Sequence, residues 1–124
     1  MKEESKLYNF VETTIFTKQV TDTGSIDLLI AIQNDLLKNP ERGDIVKGSH
    51  GARKARIADP RDSRGKRGSY RYLYYYRAHH GQIYLLYLFA KNEQSNLSPA
   101  QTKWIADMVD LIKRKEHEKN SQEN

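Results

Sequence analysis

The chain has 124 residues, of which 37% are hydrophobic and 30% charged, with a net charge of +5 and a mean hydropathy of −0.85; these are globular values, sufficient for one domain around one modest core. It contains no cysteine, which excludes a disulfide framework and a cysteine-based zinc site and fits a reducing cytosol. No apolar run approaches the roughly 20 residues a membrane-spanning helix needs, and the opening MKEESKLYNF lacks the apolar stretch of a signal peptide. The expectation is a cytoplasmic, soluble single domain over residues 1–124, with a polar tail from about residue 114.

Leu7–Glu12 reads as a short first strand with Tyr8 and Phe10 on one face. Thr13–Gly24 shows no clear period and is expected to hold one or two helical turns. Ser25–Lys38 is the clearest helix of the first half. Ser25 is a capping residue, and Ile26, Leu29, Ile30, Leu36 and Leu37 recur at helical spacing around the polar Gln33. Pro40 ends this helix by forcing Asn39 out of helical geometry. Ala52–Ala58 alternates, with Lys54, Arg56 and Ala58 facing one way and Ala55 and Ile57 the other, as in a half-buried strand. Asp59–Gly68, DPRDSRGKRG, has no hydrophobic residue and reads as an exposed, mobile basic loop.

Two long strands follow, SYRYLYYYR and QIYLLYLFAKN, joined through His79-His80-Gly81 as a hairpin. Both faces of the first are apolar or aromatic enough to be buried. Ser98, Pro99 and Gln101 then supply the cap, the helix-compatible proline and the capping-box partner of a last helix, whose stripe is Trp104, Ile105, Met108, Leu111 and Ile112. The tail from Lys113 is fully polar and is expected to fray. The order β-α-α-β-β-β-α predicts an α+β fold, a small antiparallel sheet with its helices packed on one face and the other face open.

The charge is unevenly spread. Arg42–Arg77 carries eleven Lys/Arg against three Asp/Glu, a local charge of +8, while the rest of the chain is slightly acidic. A focused cationic patch attracts a polyanion, and phosphate backbone is the commonest one in a cell. By strand parity Lys54 and Arg56 belong to the face turned away from the helices; Arg71 is expected there too, although parity on its strand is ambiguous.

At these residues the chain resembles a known family. NPERGDIVKGSHGARKARIA, a basic loop, GSYRYLYYY and YLLYLFAKNE, closed by an N-capped helix, are similar in order and element type to the RelE superfamily of bacterial toxins, and most similar to its HigB-like branch. The resemblance runs from about Tyr8 to Lys113. It implies a ribosome-dependent mRNA endoribonuclease of a type II toxin–antitoxin module, neutralised by a cognate antitoxin. Ribosome and mRNA are then its partners, with operator DNA met only through the antitoxin. It also implies that Lys54, Arg56 and Arg71 are catalytic cations. After the last strand the pattern departs from RelE, with Asn92 standing for an arginine and Ser98 for a functional tyrosine. Lys91 and Asn92 are the remaining candidates there, with Lys91 able to replace the lost charge.

The residue types support the same chemistry. Cleavage by an RNA 2′-hydroxyl needs a proton acceptor, neutralisation of the phosphorane and a proton for the leaving 5′-oxygen. Arg56 and Arg71 suit the second task, since guanidinium grips phosphate oxygens in pairs. Lys54 is the candidate base, because Arg53 and Arg56 beside it disfavour another positive charge. Arg53, Arg61, Arg64, Lys66 and Arg67 are expected to contact RNA backbone, and Tyr75 to stack on a base. His79 and His80 sit at a turn, while His50 lies just before the basic strand. No His/Asp/Glu cluster has metal-ligand spacing, so neither metal nor cofactor is expected. Two alternatives belong to other classes: a ParE-like toxin acting on a protein without cutting RNA, and a non-catalytic RNA- or DNA-binding module.

Overall fold

A computed structural model describes residues 8–61, 69–91, 94 and 96–123, with side-chain surroundings through Lys115. Five strands form one sheet in the order β1-β5-β4-β3-β2, where β1 is Asn9–Glu12, β2 Asp44–Ile45, β3 Arg53–Ala58, β4 Ser69–Arg77 and β5 Gln82–Ala90. The β2–β3, β3–β4 and β4–β5 pairs are antiparallel, but β1 lies parallel to β5, so the sheet is mixed where a purely antiparallel one was expected. The reason is connectivity. Two helices, α1 (Thr14–Thr23) and α2 (Ile26–Lys38), separate β1 from the remaining strands, and a helical crossover lets neighbouring strands run the same way. The two-residue β2 is too short to leave a periodic trace in sequence.

Tyrosine parity on β4 divides the core in two. Tyr70, Tyr72, Tyr74 and Tyr76 face one cluster with Phe16, Val20, Leu28, Ile32, Leu36, Ile83 and Leu85. Leu73 and Tyr75 face a second one with Ala52, Leu86, Phe89, Ile105, Val109 and Ile112. The first lies beneath α1 and α2 and the second beneath α3 (Pro99–Glu123), so helices cover both faces of the sheet and not one. Apolar residues at both parities of β4 and β5 demand this, because each would otherwise leave a row of large side chains in water. A register shift between Leu73 and Tyr74 leaves Leu86 without a partner across β4. It turns both Leu86 and Tyr87 toward α3, as a bulge does.

The helices correct the sequence reading in three places. α1 is a complete ten-residue helix, capped by Thr13, whose Oγ accepts from Phe16 N at 3.0 Å and donates to Leu86 O at 2.8 Å. Its threonines mask it locally, and burial of Phe16 and Val20 decides it. α2 has the expected Ser25 cap, accepting from Leu28 N at 3.1 Å, but its buried stripe is Leu28, Ile32 and Leu36. Ile26, Ile30 and Leu37 are exposed. An all-round apolar helix offers two stripes, and spacing alone does not choose between them. α3 begins with the expected reciprocal cap, Gln101 N to Ser98 Oγ at 3.1 Å and Ser98 N to Gln101 Oε1 at 2.8 Å, and continues to Glu123. The tail that was expected to fray contains neither Gly nor Pro to stop a helix. No helix among the described residues is long and apolar enough to cross a membrane.

Candidate active site

β3 and β4 place the basic side chains by register. Arg56 lies directly opposite Arg71, and Lys54 opposite Leu73, so all three cations share the α3-side face. The α3 stripe covers Leu73 and Tyr75 but leaves the Arg56–Arg71 end open. There a pocket of about 420 Å³ is lined by Arg42, Asp44, Lys54, Ala55, Arg56 and Arg71. Like charges directly across a strand pair repel. Among the described residues none of the pocket's cations forms an ion pair. Arg71 Nε is buried and has no hydrogen-bond partner there, an arrangement that costs free energy unless an incoming acceptor completes it.

Two buried tyrosines on the opposite face of the sheet brace the turn that carries Arg42 to this pocket. The Tyr72 and Tyr74 rings pack against each other with centroids 5.7 Å apart, and both are fully buried. Their hydroxyls emerge at the turn between α2 and β2. Tyr74 Oη donates to Pro40 O at 2.8 Å and accepts from Gly43 N at 2.9 Å. Tyr72 Oη accepts from Arg42 Nη1 at 3.2 Å. Gly43 packs so closely that a Cβ there would stand 2.8 Å from Lys54 O and 3.0 Å from Tyr74 Cε1. That approach lets Asp44 pair with Lys54. Burial pushes the Tyr72 hydroxyl up to about 12 against the opposing pull of Arg42, so it stays neutral.

The other sequence candidates are distributed differently. Arg53 alternates onto the opposite face and spends its Nη1 on Glu41 O at 3.1 Å and Gly43 O at 2.7 Å, bracing the same turn from behind. Arg61 is clamped to Asp59, with Nη2 to Oδ2 at 2.9 Å and Nε to Oδ1 at 3.1 Å, and donates from Nη1 to Thr23 O at 2.9 Å. This side-chain hydrogen bonding holds the Asp59 carboxyl below the usual range despite its burial. Tyr75 is half-buried in the α3 cluster, with Lys113 Nζ 5.7 Å from its ring centroid. Lys91 is exposed one residue beyond β5, its backbone N donating to Ser69 O at 3.0 Å, and does not line the pocket. Arg64, Lys66, Arg67 and Asn92 lie outside the described residues.

His79 and His80 occupy the turn between β4 and β5, as expected. His50 has a positive φ of 66° and its Nδ1 meets Asp110 Oδ1 at 2.9 Å, while Lys113 Nζ donates to its carbonyl at 3.0 Å. It tethers the turn before β3 to α3. A second opening of about 550 Å³ lies here, lined in part by His50, Lys103 and Asp107. Its cation Lys103 is paired with Asp107 and His50 is hydrogen-bonded to Asp110, in contrast to the cations around Arg71.

Arg42 and Asp44 line the pocket although the sequence reading does not name them, and Tyr72 joins them only through its hydrogen bond from Arg42. The only sequence signal for the first two is that the +8 segment begins at Arg42 and its first acid is Asp44. For Tyr72, nothing separates its hydroxyl from those of its strand neighbours before the turn is placed. The chain matches, over residues 30–122, the family model described as the RelE toxin of the RelE/RelB toxin–antitoxin system. With that match spanning most of its length, and with the mixed sheet and basic pocket described above, the chain belongs to the RelE toxin family.

Proposed function

We propose that this protein is a ribosome-dependent mRNA endoribonuclease of the HigB-like kind, acting in the cytoplasm and held inactive by the cognate antitoxin that its family implies. The observation that carries this reading is Arg56 set directly against Arg71, with no carboxylate paired to either among the described residues and Arg71 Nε buried without an acceptor. A phosphate group supplies the missing acceptor and the missing negative charge together.

In the proposed reaction the 2′-oxygen attacks the adjacent phosphorus, the bond from phosphorus to the 5′-oxygen breaks, and the products are a 2′,3′-cyclic phosphate and a free 5′-hydroxyl. Lys54 takes the 2′-proton. Arg56 and Arg71 bear the charge that develops on the non-bridging oxygens, where preorganised donors contribute most. The proton for the leaving oxygen comes from Lys91, exposed just past β5 and outside the pocket wall, or from a group of the ribosome itself. No step draws on a metal. Operator DNA is reached only through the antitoxin.

The test is a ribosome programmed with a defined mRNA and supplied with its ordinary magnesium. Purified protein is expected to cut the message once the ribosome is present, to leave cyclic phosphate ends, and to need no zinc or manganese. Growth arrest in cells with intact mRNA would instead favour a ParE-like action on a protein target.

A further inference from the structure

We propose that Arg42 is a further RNA-contacting residue of this pocket, gripping a phosphate next to the one held by Arg56 and Arg71, and that the Tyr72 hydroxyl is what aims it; the inference rests on the RNA reading given above. Arg42 follows Pro40 in the turn that Tyr74 and Gly43 pin against β3. Its Nη1 donates to Arg56 O at 3.1 Å and to Tyr72 Oη at 3.2 Å. One nitrogen is therefore used twice. The rest of the guanidinium has no acceptor among the described residues and borders the pocket.

The character of the two anchors matters. A carbonyl and a phenol whose burial keeps it protonated both carry no charge, so they fix the guanidinium without neutralising it. Arg61 shows the opposite arrangement, with both its Nε and Nη2 on the Asp59 carboxylate. Arg53 is also anchored by carbonyls, but on the other face of β3 and away from the pocket. Arg42 thus combines a fixed position, an uncompensated charge and a place on the pocket wall. A guanidinium held in this way loses little side-chain freedom on meeting a phosphate.

The test uses the full chain and a fluorescein-labelled uridine 12-mer without ribosomes, reading binding by anisotropy across a salt series. Arg42→Gln is expected to flatten the log–log salt slope by about 0.7, one single-strand phosphate contact, and to weaken binding several-fold at low salt. Arg42→Lys keeps the charge and should keep the slope. Tyr72→Phe should also keep the slope while weakening binding about two- to three-fold, because the charge remains but its aim is lost. Thermal melts of each variant accompany the titrations. An Arg42→Gln protein with an unchanged slope and a lowered melting temperature would reduce Arg42 to a strut for the turn and overturn the proposal. Arg71→Gln separates the two levels of inference: if it flattens the slope and Arg42→Gln does not, only the role of Arg42 fails. A wild-type protein that does not bind the 12-mer overturns the Arg42 proposal, while the RNA reading itself is decided by the ribosome-programmed cutting assay.

Discussion

The two faces of the sheet are built from the same strands and do different things. Beneath α1 and α2, every inward position of β4 is a tyrosine, and Ile83, Leu85 and Leu88 of β5 complete a continuous core. The α3 side is divided. Leu73, Tyr75 and Leu86 are closed over by Ile105, Val109 and Ile112, while one step along β4 Arg71 opens into the pocket with Arg56 and Lys54. A single strand therefore changes from structural to candidate chemical work by parity, and along one face by where the covering helix ends. The lesson concerns cost: each fully buried Leu or Ile contributes about 1.5–3 kcal/mol, whereas the pocket holds uncompensated charge that stability alone does not favour.

The largest expected effect breaks the comparison cleanly. Lys54→Ala, Arg56→Ala and Arg71→Ala are each expected to lower the rate of mRNA cutting by on the order of a hundredfold or more, as the loss of a transition-state contact does. Each should change stability by no more than about 1 kcal/mol. Leu85→Ala, on the closed face, should do the reverse, costing about 2–5 kcal/mol while cutting below its melting point persists. Chemical denaturation and a ribosome-programmed cleavage assay on the same four proteins decide the matter. Full activity in all three cation variants would remove the pocket from the mechanism.

A smaller effect asks which group in the pocket takes the 2′-proton. Asp44 lies opposite Lys54 across β2 and β3 and is the one carboxylate on the pocket wall. If Lys54 is the base, Asp44→Asn leaves the proton acceptor in place, and cutting at neutral pH should be retained to within a few-fold. If Asp44 is the base, the same variant loses on the order of a hundredfold at every pH, within the range general-base catalysis supplies. The single-turnover rate at neutral pH tells the two apart.

How far this was legible beforehand varies by element. The common face of Lys54 and Arg56 is readable because strand parity is a strict two-residue rule; large side chains at both parities of β4 leave Arg71 ambiguous until the register places it there, and the face itself is partly covered by α3 and not open. The capped starts of α2 and α3 were readable because capping chemistry is local. The buried stripe of α2 was not, since Ile26, Ile30 and Leu37 fit helical spacing as well as Leu28, Ile32 and Leu36 do. Neither was the second covered face, which only the placement of α3 reveals. Arg42 and Arg61 look alike in sequence, yet one borders the pocket and the other is bound to Asp59. What distinguishes them is tertiary geometry.

A third experiment addresses the cations of the segment between β3 and β4. Arg64, Lys66 and Arg67 are proposed to supply affinity for RNA and not chemistry. Changing the three to Gln should flatten the salt slope of RNA binding by up to about 2, at roughly 0.7 per contact. Cutting at saturating protein should continue, because Arg56 and Arg71 are untouched. Arg61→Gln belongs outside this set. Its side chain is committed to Asp59 and Thr23, so its expected signature is a lower melting temperature with little change in slope. Normal binding with no cutting in the triple variant would move a catalytic group into this segment.

The smallest effect tests whether Arg61 is a structural arginine by its pH dependence. Hydrogen bonding from Arg61 lowers the pKa of Asp59 in the folded chain. For a carboxyl depressed on folding, the stabilisation is fully present above the unfolded value near 4 and is lost as pH falls through the lower folded value. Wild-type melting temperature should therefore fall with acidification below about pH 4, more steeply than that of Asp59→Asn, which has no proton to take up at this position. At neutral pH Asp59→Asn should melt lower than wild type, and the gap should narrow as both are acidified. Because Arg61 is about half exposed while Asp59 is buried, the pair meets solvent from the arginine side only, and the gap at neutral pH should be modest and should shrink in part in high salt. Two parallel acid-melting curves would mean that Asp59 contributes nothing through its charge. Arg61 would then be free to serve RNA, and the division between a committed arginine at this anchor and uncommitted ones in the pocket would no longer hold.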